Sequence, residues 1–218
     1  MELSSVNQPI GLYKEGTQQA EEALGIYERL GNTANHAHCL IRLAFLLRLD
    51  NQFDAAEESA CRAISLLAEK GQEFLACESY RALGKIYQSK GDIGEAIHHF
   101  EVAIGIATPF NWHNNLFWLH YGLVELLLHE GRFGDVQAHI EHAKSHTADN
   151  TYHLGRAMEL QARVWYDQHK FEETRSEILR AAEVFKKVGA AKNLEDCKHF
   201  LRDIEKGLST LVTSGQSD

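Results

Sequence analysis

The sequence predicts an all-α fold of stacked helix pairs, and three observations predict it. A spacing of about 40 residues recurs along most of the chain. Within each recurrence, apolar or small residues return every three to four positions, the period of a helix with one buried face. Only two prolines, Pro9 and Pro109, interrupt 218 residues, so few positions break a helix.

The elements follow in order. Counting back 40 residues from Phe53 reaches Tyr13, and Ala20 and Ala23 then match Ala60 and Ala63. Residues 9–31 thus read as the second helix of a unit whose first helix is missing, which leaves an apolar edge able to self-associate. Four two-helix units are expected at about 34–71, 73–108, 113–148 and 151–188. In the first unit, Leu40, Leu43, Ala44 and Leu47 mark one helix, a turn comes at Asp50-Asn51, and Phe53, Ala56, Ala60 and Ala63 mark the other. In the second the same roles fall to Tyr80, Leu83, Gly84 and Tyr87, the Lys90-Gly91 turn, and Ala96, Phe100 and Ala103. In the third they fall to His120, Leu123, Val124 and Leu127, then Phe133, Val136, Ile140 and Ala143. In the fourth, Met158, Gln161, Ala162 and Trp165 precede Phe171, Thr174, Ile178 and Ala181. Ala56 to Ala96 and Ala96 to Val136 are each 40 residues, and Val136 to Thr174 is 38. Gly31, Gly71 and Gly189 act as stops between units, and Pro109 closes the second. Leu194, Cys197, Phe200, Leu201 and Ile204 give residues 190–207 a helical stripe with no successor, hence a capping helix, and 208–218 a tail. One domain of about ten helices, with its core running along the stack, accounts for the whole chain.

Charge and composition exclude several classes. With 22 Lys+Arg against 31 Asp+Glu, the net charge of −9 disfavours nucleic acid and anionic membranes as partners. No run of about 18 apolar residues, signal segment or N-x-[ST] acceptor occurs, which points to the cytoplasm. Cys39, Cys61, Cys77 and Cys197 form no C-x-x-C pair, so neither a zinc site nor a disulfide framework is expected. Glycines at 84, 91 and 94 make no phosphate loop or dinucleotide fingerprint, and no serine or cysteine occupies a nucleophile elbow. The chain reads as a non-enzyme without a cofactor. Thirteen histidines are its one unusual enrichment. His139, His142 and His146 share a helix face one turn after Asp135, a spacing compatible with a divalent metal. The opposite face, Val136, Ile140 and Ala143, is the packed one, so the histidine stripe reads first as solvated exterior, and no metal is assigned.

Tyr80-x2-Leu83-Gly84-x2-Tyr87, followed by Ala96-x3-Phe100-x2-Ala103 and by Pro109, resembles the tetratricopeptide repeat (TPR) signature. The 40-residue period is similar to the lengthened subclass of kinesin light chains, cell-polarity adaptors and the repeat arrays of signalling NTPases. The resemblance covers roughly 10–188 and implies a right-handed α-solenoid whose first helices line a concave groove that binds a protein segment. Carried onto this sequence, the groove holds His38, Ile41, Phe45 and Arg48, then Glu78, Arg81, Lys85 and Gln88, then Trp118, Tyr121, Glu125 and Leu128, and finally Arg156, Glu159, Arg163 and Tyr166. The cations form a basic stripe suited to an acidic peptide, and Phe45, Trp118 and Tyr121 are aromatic anchors. Glu78, Glu125 and Glu159 are the intrachain rivals for those cations. An adaptor with a free groove, or the sensor end of a larger signalling NTPase, is the role this implies.

Overall fold

In the computed structural model, residues 10–67, 71–147 and 150–214 are described, and all regular structure among them is helical. Contacts divide the chain into two compact units, 1–111 and 112–218. The first contains α1 (Ile10–Arg29), α2 (Thr33–Leu49), α3 (Phe53–Leu67), α4 (Glu73–Lys90), α5 (Ile93–Ala107) and a 3-10 turn at Thr108–Phe110. The second contains α6 (His113–His129), α7 (Phe133–Ser145), α8 (Thr151–Asp167), α9 (Phe171–Lys187) and α10 (Ala191–Ser214).

Local chemistry explains where helices start and stop. Asn32, Asp92 and Asn150 each precede a helix and accept a hydrogen bond from the backbone N–H three residues on, which occupies one of the otherwise orphaned donors. Gly91 ends α4 in the left-handed region, φ 83°, where a Cβ would clash. Asn51 takes the same conformation, φ 61°, at the matching turn, as asparagine does more readily than other side-chain-bearing residues. Pro109 falls in the 3-10 turn directly after α5, as its missing N–H requires.

Each unit is a stack of antiparallel hairpins. α2 pairs with α3 and α4 with α5, while α1 lies on α2; in the second unit α6 pairs with α7, α8 with α9, and α10 covers α9. The small residues expected on the second helices are the contact points. Ala56, Ala60, Ala63, Ala96 and Ala103 are fully buried, which lets backbones approach closely. Ala56 and Ala60 share one core with Leu43, Ala44, Leu47, Ala82, Leu83 and Ile86. Each fully buried Leu or Phe contributes about 2–3 kcal/mol of transfer free energy. Gly84 is required for a different reason: a Cβ there would lie 2.9 Å from the Phe100 ring, so α4 and α5 meet only because that position is bare. Gly155 plays the same part against Phe185 at 2.8 Å.

One boundary and one groove position depart from the sequence reading. α10 runs to Ser214, past residue 207 where the tail was expected: Gly207 does not end the helix, and no proline follows Ile204; the last four residues of that tail lie outside the described set. Ile41, read as a groove residue, is a core residue at 2% exposure, since α2 is buried on a wider face than the repeat pattern implies. Ile26 on α1 and Leu30 just after it are 48% and 71% exposed.

Candidate functional site

The first helices of the hairpins, α2, α4, α6 and α8, carry the residues expected to bind a partner. In the first unit, Arg81 holds Glu78 with both ends of its guanidinium, Nε to Oε1 at 3.1 Å and Nη2 to Oε2 at 2.6 Å. Its plane also lies over the Phe45 ring, 4.9 Å from the centroid. Arg48 is less well served. Its Nη1 donates to the Ser89 hydroxyl at 3.3 Å, but its Nε is buried and meets no hydrogen-bond partner. Burial, and then the neighbouring Arg81 charge, push the Arg48 guanidinium below its ordinary pKa. The Tyr13 phenol acts the other way, favouring the charged form, and Arg48 presents a half-buried cation. Lys85 donates to Gln88 at 3.0 Å and passes over Phe100, and His38 is exposed at the far end of α2.

In the second unit the arrangement is tighter. Tyr121 is 3% exposed, and the Arg156 guanidinium both covers its ring at 4.7 Å and donates to its hydroxyl. Arg156 and Arg163 close on the two oxygens of Glu159, each at 2.7 Å, and the Glu159 side chain is 6% exposed. Two cations thus share one buried anion. Burial, followed by the Glu125 charge, raises the Tyr121 phenol well above its usual range, so it stays a neutral donor. Trp118 packs edge-on against Tyr121 and against His153, which itself stacks flat on Phe117 at 4.1 Å. Glu125 is half-buried on α6 beside this group.

Sequence-predicted residues therefore divide. Phe45, Arg48 and Arg81 come together in the first unit, with Lys85 and Gln88 paired to each other on the same helix. Trp118, Tyr121, Arg156 and Arg163 come together in the second. Tyr166 is drawn elsewhere: its ring packs edge-on against Phe171 and Phe200, as part of the core beneath α10. Tyr121 is an internal strut rather than a projecting anchor, because Arg156 covers its ring. Glu78 and Glu159 are the intrachain competitors that helical spacing of three and four residues allows.

Among the described residues, no three His, Cys, Asp or Glu side chains converge to hold a metal. The histidine stripe is instead met by a residue read only as a repeat position: His120 of α6 is buried, and its Nδ1 lies 3.0 Å from His139 Nδ1. The signal was present as His120 one helix earlier, but pairing across a hairpin is invisible to spacing along one helix. The four cysteines are free thiols. No helix among the described residues is long and apolar enough to cross a membrane.

The sequence matches no family model and no curated protein. Solved structures do resemble the chain. BtubC (BKLC) from P. vanneervenii superposes with a TM-score of 0.70 at 14% identity, over 90% of this chain and 92% of that one. TPR-like repeats of a putative kinesin light chain from Podosopora anserina give 0.61 at 15% identity, covering 83% and 94%. The fold is that of a TPR-like repeat protein. A Rap protein in complex with Competence and Sporulation Factor gives 0.65 at 16% identity, covering 92% of this chain but 61% of the Rap chain. In TPR-like terms, Gly84 and Phe100 are the close-approach pair that joins the two helices of a repeat, and the stripe of Arg48, Arg81 and Lys85 lies along successive first helices.

Proposed function

We propose that this chain is a non-enzymatic cytoplasmic scaffold whose first-helix faces hold an acidic protein segment. The observation that carries the reading is Arg48, a half-buried guanidinium with an unpartnered buried Nε beside a second guanidinium, in a protein whose net charge is −9. Leaving a buried donor unpaired costs about 1–3 kcal/mol, and an arriving carboxylate recovers it through charge-assisted bonds. Phe45, already under Arg81, supplies flat apolar surface beside those cations, and Trp118 does so beside Tyr121 in the second unit. In the second unit Arg156 and Arg163 are met by Glu159 and by the nearby Glu125, so the less committed cation is the one in the first unit. The Rap structure, solved with a factor bound, is consistent with the fold serving as a binding scaffold.

The test is charge reversal on one face. Arg81→Glu combined with Lys85→Glu should weaken binding of a glutamate-rich peptide by at least about tenfold, equivalent to about 1.4 kcal/mol, with the helical circular-dichroism spectrum unchanged. Equal affinity in the folded double variant would remove the basic stripe from the account.

A further inference from the structure

Five imidazoles that the binding face does not use meet where α6 packs on α7. His120 Nδ1 is 3.0 Å from His139 Nδ1, and His113 Nδ1 is 3.1 Å from His146 Nδ1. The His142 ring stacks on His120 at 4.9 Å and 16°, and the His146 ring lies parallel to His120 at 6.0 Å and 7°. A nitrogen-to-nitrogen contact between imidazoles needs one N–H and one bare acceptor. Each pair therefore survives while one of its rings keeps a bare nitrogen, and fails when both become donors. Two imidazolium charges at ring separations of 5–6 Å also repel, most strongly around the buried His120.

For His120 and His146 the acting charges are those of other imidazoles: His139, His142 and His146 act on His120, and His113 and His142 act on His146. On α7, Glu141 is occupied by Lys144 and Gln137, while Lys144 reaches Gln161 of α8. Asp135 pairs with Arg132 at the start of α7, and His129 with Glu130 at the end of α6. From α8, His153 lies on Phe117, while Arg156, Glu159 and Arg163 gather at Tyr121. No three ligands converge for a metal among the described residues, which leaves the proton as the natural ligand of the cluster.

We propose that His113, His120, His139, His142 and His146 form an acid-operated catch on the α6–α7 hairpin, closed when neutral and sprung by protonation. Burial first, and then the three neighbouring imidazoles, hold His120 down at about 3, and His146 is lowered for the same kinds of reason. For a histidine whose folded pKa lies below its unfolded value near 6.5, the stabilisation is present above that value and is lost as pH falls below it. The catch accordingly holds at about pH 7.5 and weakens progressively below about 6.5, independently of whether the first-helix faces bind a segment.

Hydrogen exchange on the full chain tests this, with amides of α6 and α7 followed at pH 7.5 and 5.0, corrected for intrinsic exchange and referenced to α9. Protection of α6 and α7 should fall at least about tenfold relative to α9. In His120→Gln, which retains an amide able to pair with His139 and takes no proton, that fall should shrink to less than half on a logarithmic scale. Should the variant not fold, nitrogen NMR of the wild-type imidazoles decides: His120 must remain unprotonated at pH 5.0. Equal protection at both pH values, a pH dependence that persists undiminished in a folded His120→Gln, or a His120 that titrates near 6.5 would each overturn the proposal.

Discussion

Gly84 and Gly25 are both helical glycines, and the same substitution should move stability in opposite directions. Alanine at 84 would press its methyl to 2.9 Å from the Phe100 ring, which is fully buried and has nowhere to turn. Overpacking of this kind costs about 1–3 kcal/mol and outweighs the gain in helix propensity of about 1 kcal/mol. At Gly25 of α1 no atom lies within 4 Å of the new methyl, so the propensity gain of about 0.5–1 kcal/mol stands alone. Chemical unfolding should rank Gly25→Ala above wild type and Gly84→Ala below it; a stabilised Gly84→Ala would contradict the close approach of α4 and α5. Single residues also mark the limit of sequence reading. Gly84 is legible because it stands in the signature, whereas the burial of Tyr121 under Arg156 depends on a residue 35 positions away. Tyr166 has groove spacing, yet Phe171 and Phe200 compete for its ring and win.

Within an element, turn chemistry and helical period account for nearly all that the sequence predicts. The N-caps at Asn32, Asp92 and Asn150 and the left-handed turns at Asn51 and Gly91 are local, and local signals survive translation into structure. Relations between helices survive less well. Spacing marks Glu159 as a rival for Arg156 and Arg163, but only the hairpin shows both guanidiniums closing on it where it is nearly inaccessible to solvent. Removing one partner of a buried pair costs about 3–5 kcal/mol; since Arg163 is 45% exposed, Glu159→Gln should cost about 2 kcal/mol. Urea unfolding measures this directly, and an unchanged midpoint would show that the two arginines are sufficiently solvated to need no anion. In the first unit Lys90 bridges Asp54 and Glu57, and Tyr87 donates to Glu57, tying α4 to α3. The histidine catch belongs to this scale too: three of its members share one helix face, and their meaning changes because α6 brings His120 and His113 to them.

For the molecule as a whole, the repeat of about 40 residues makes the all-α architecture legible in the amino-acid order itself, because the same positions recur as buried ones in each hairpin. Net charge does not show where the cations collect, since charge counts carry no positions. Partner binding is the part that neither the period nor the fold supplies, and the proposed binding rests on the half-buried Arg48 beside Arg81. The most direct measurement is a hydrogen-exchange footprint of the full chain with and without a bound glutamate-rich peptide. New protection is expected on the first helices α2 and α4, centred on Phe45, Arg48 and Arg81, with α3 and α5 unchanged. Protection confined to the second helices, or none at peptide concentrations that saturate binding, would contradict a first-helix binding face.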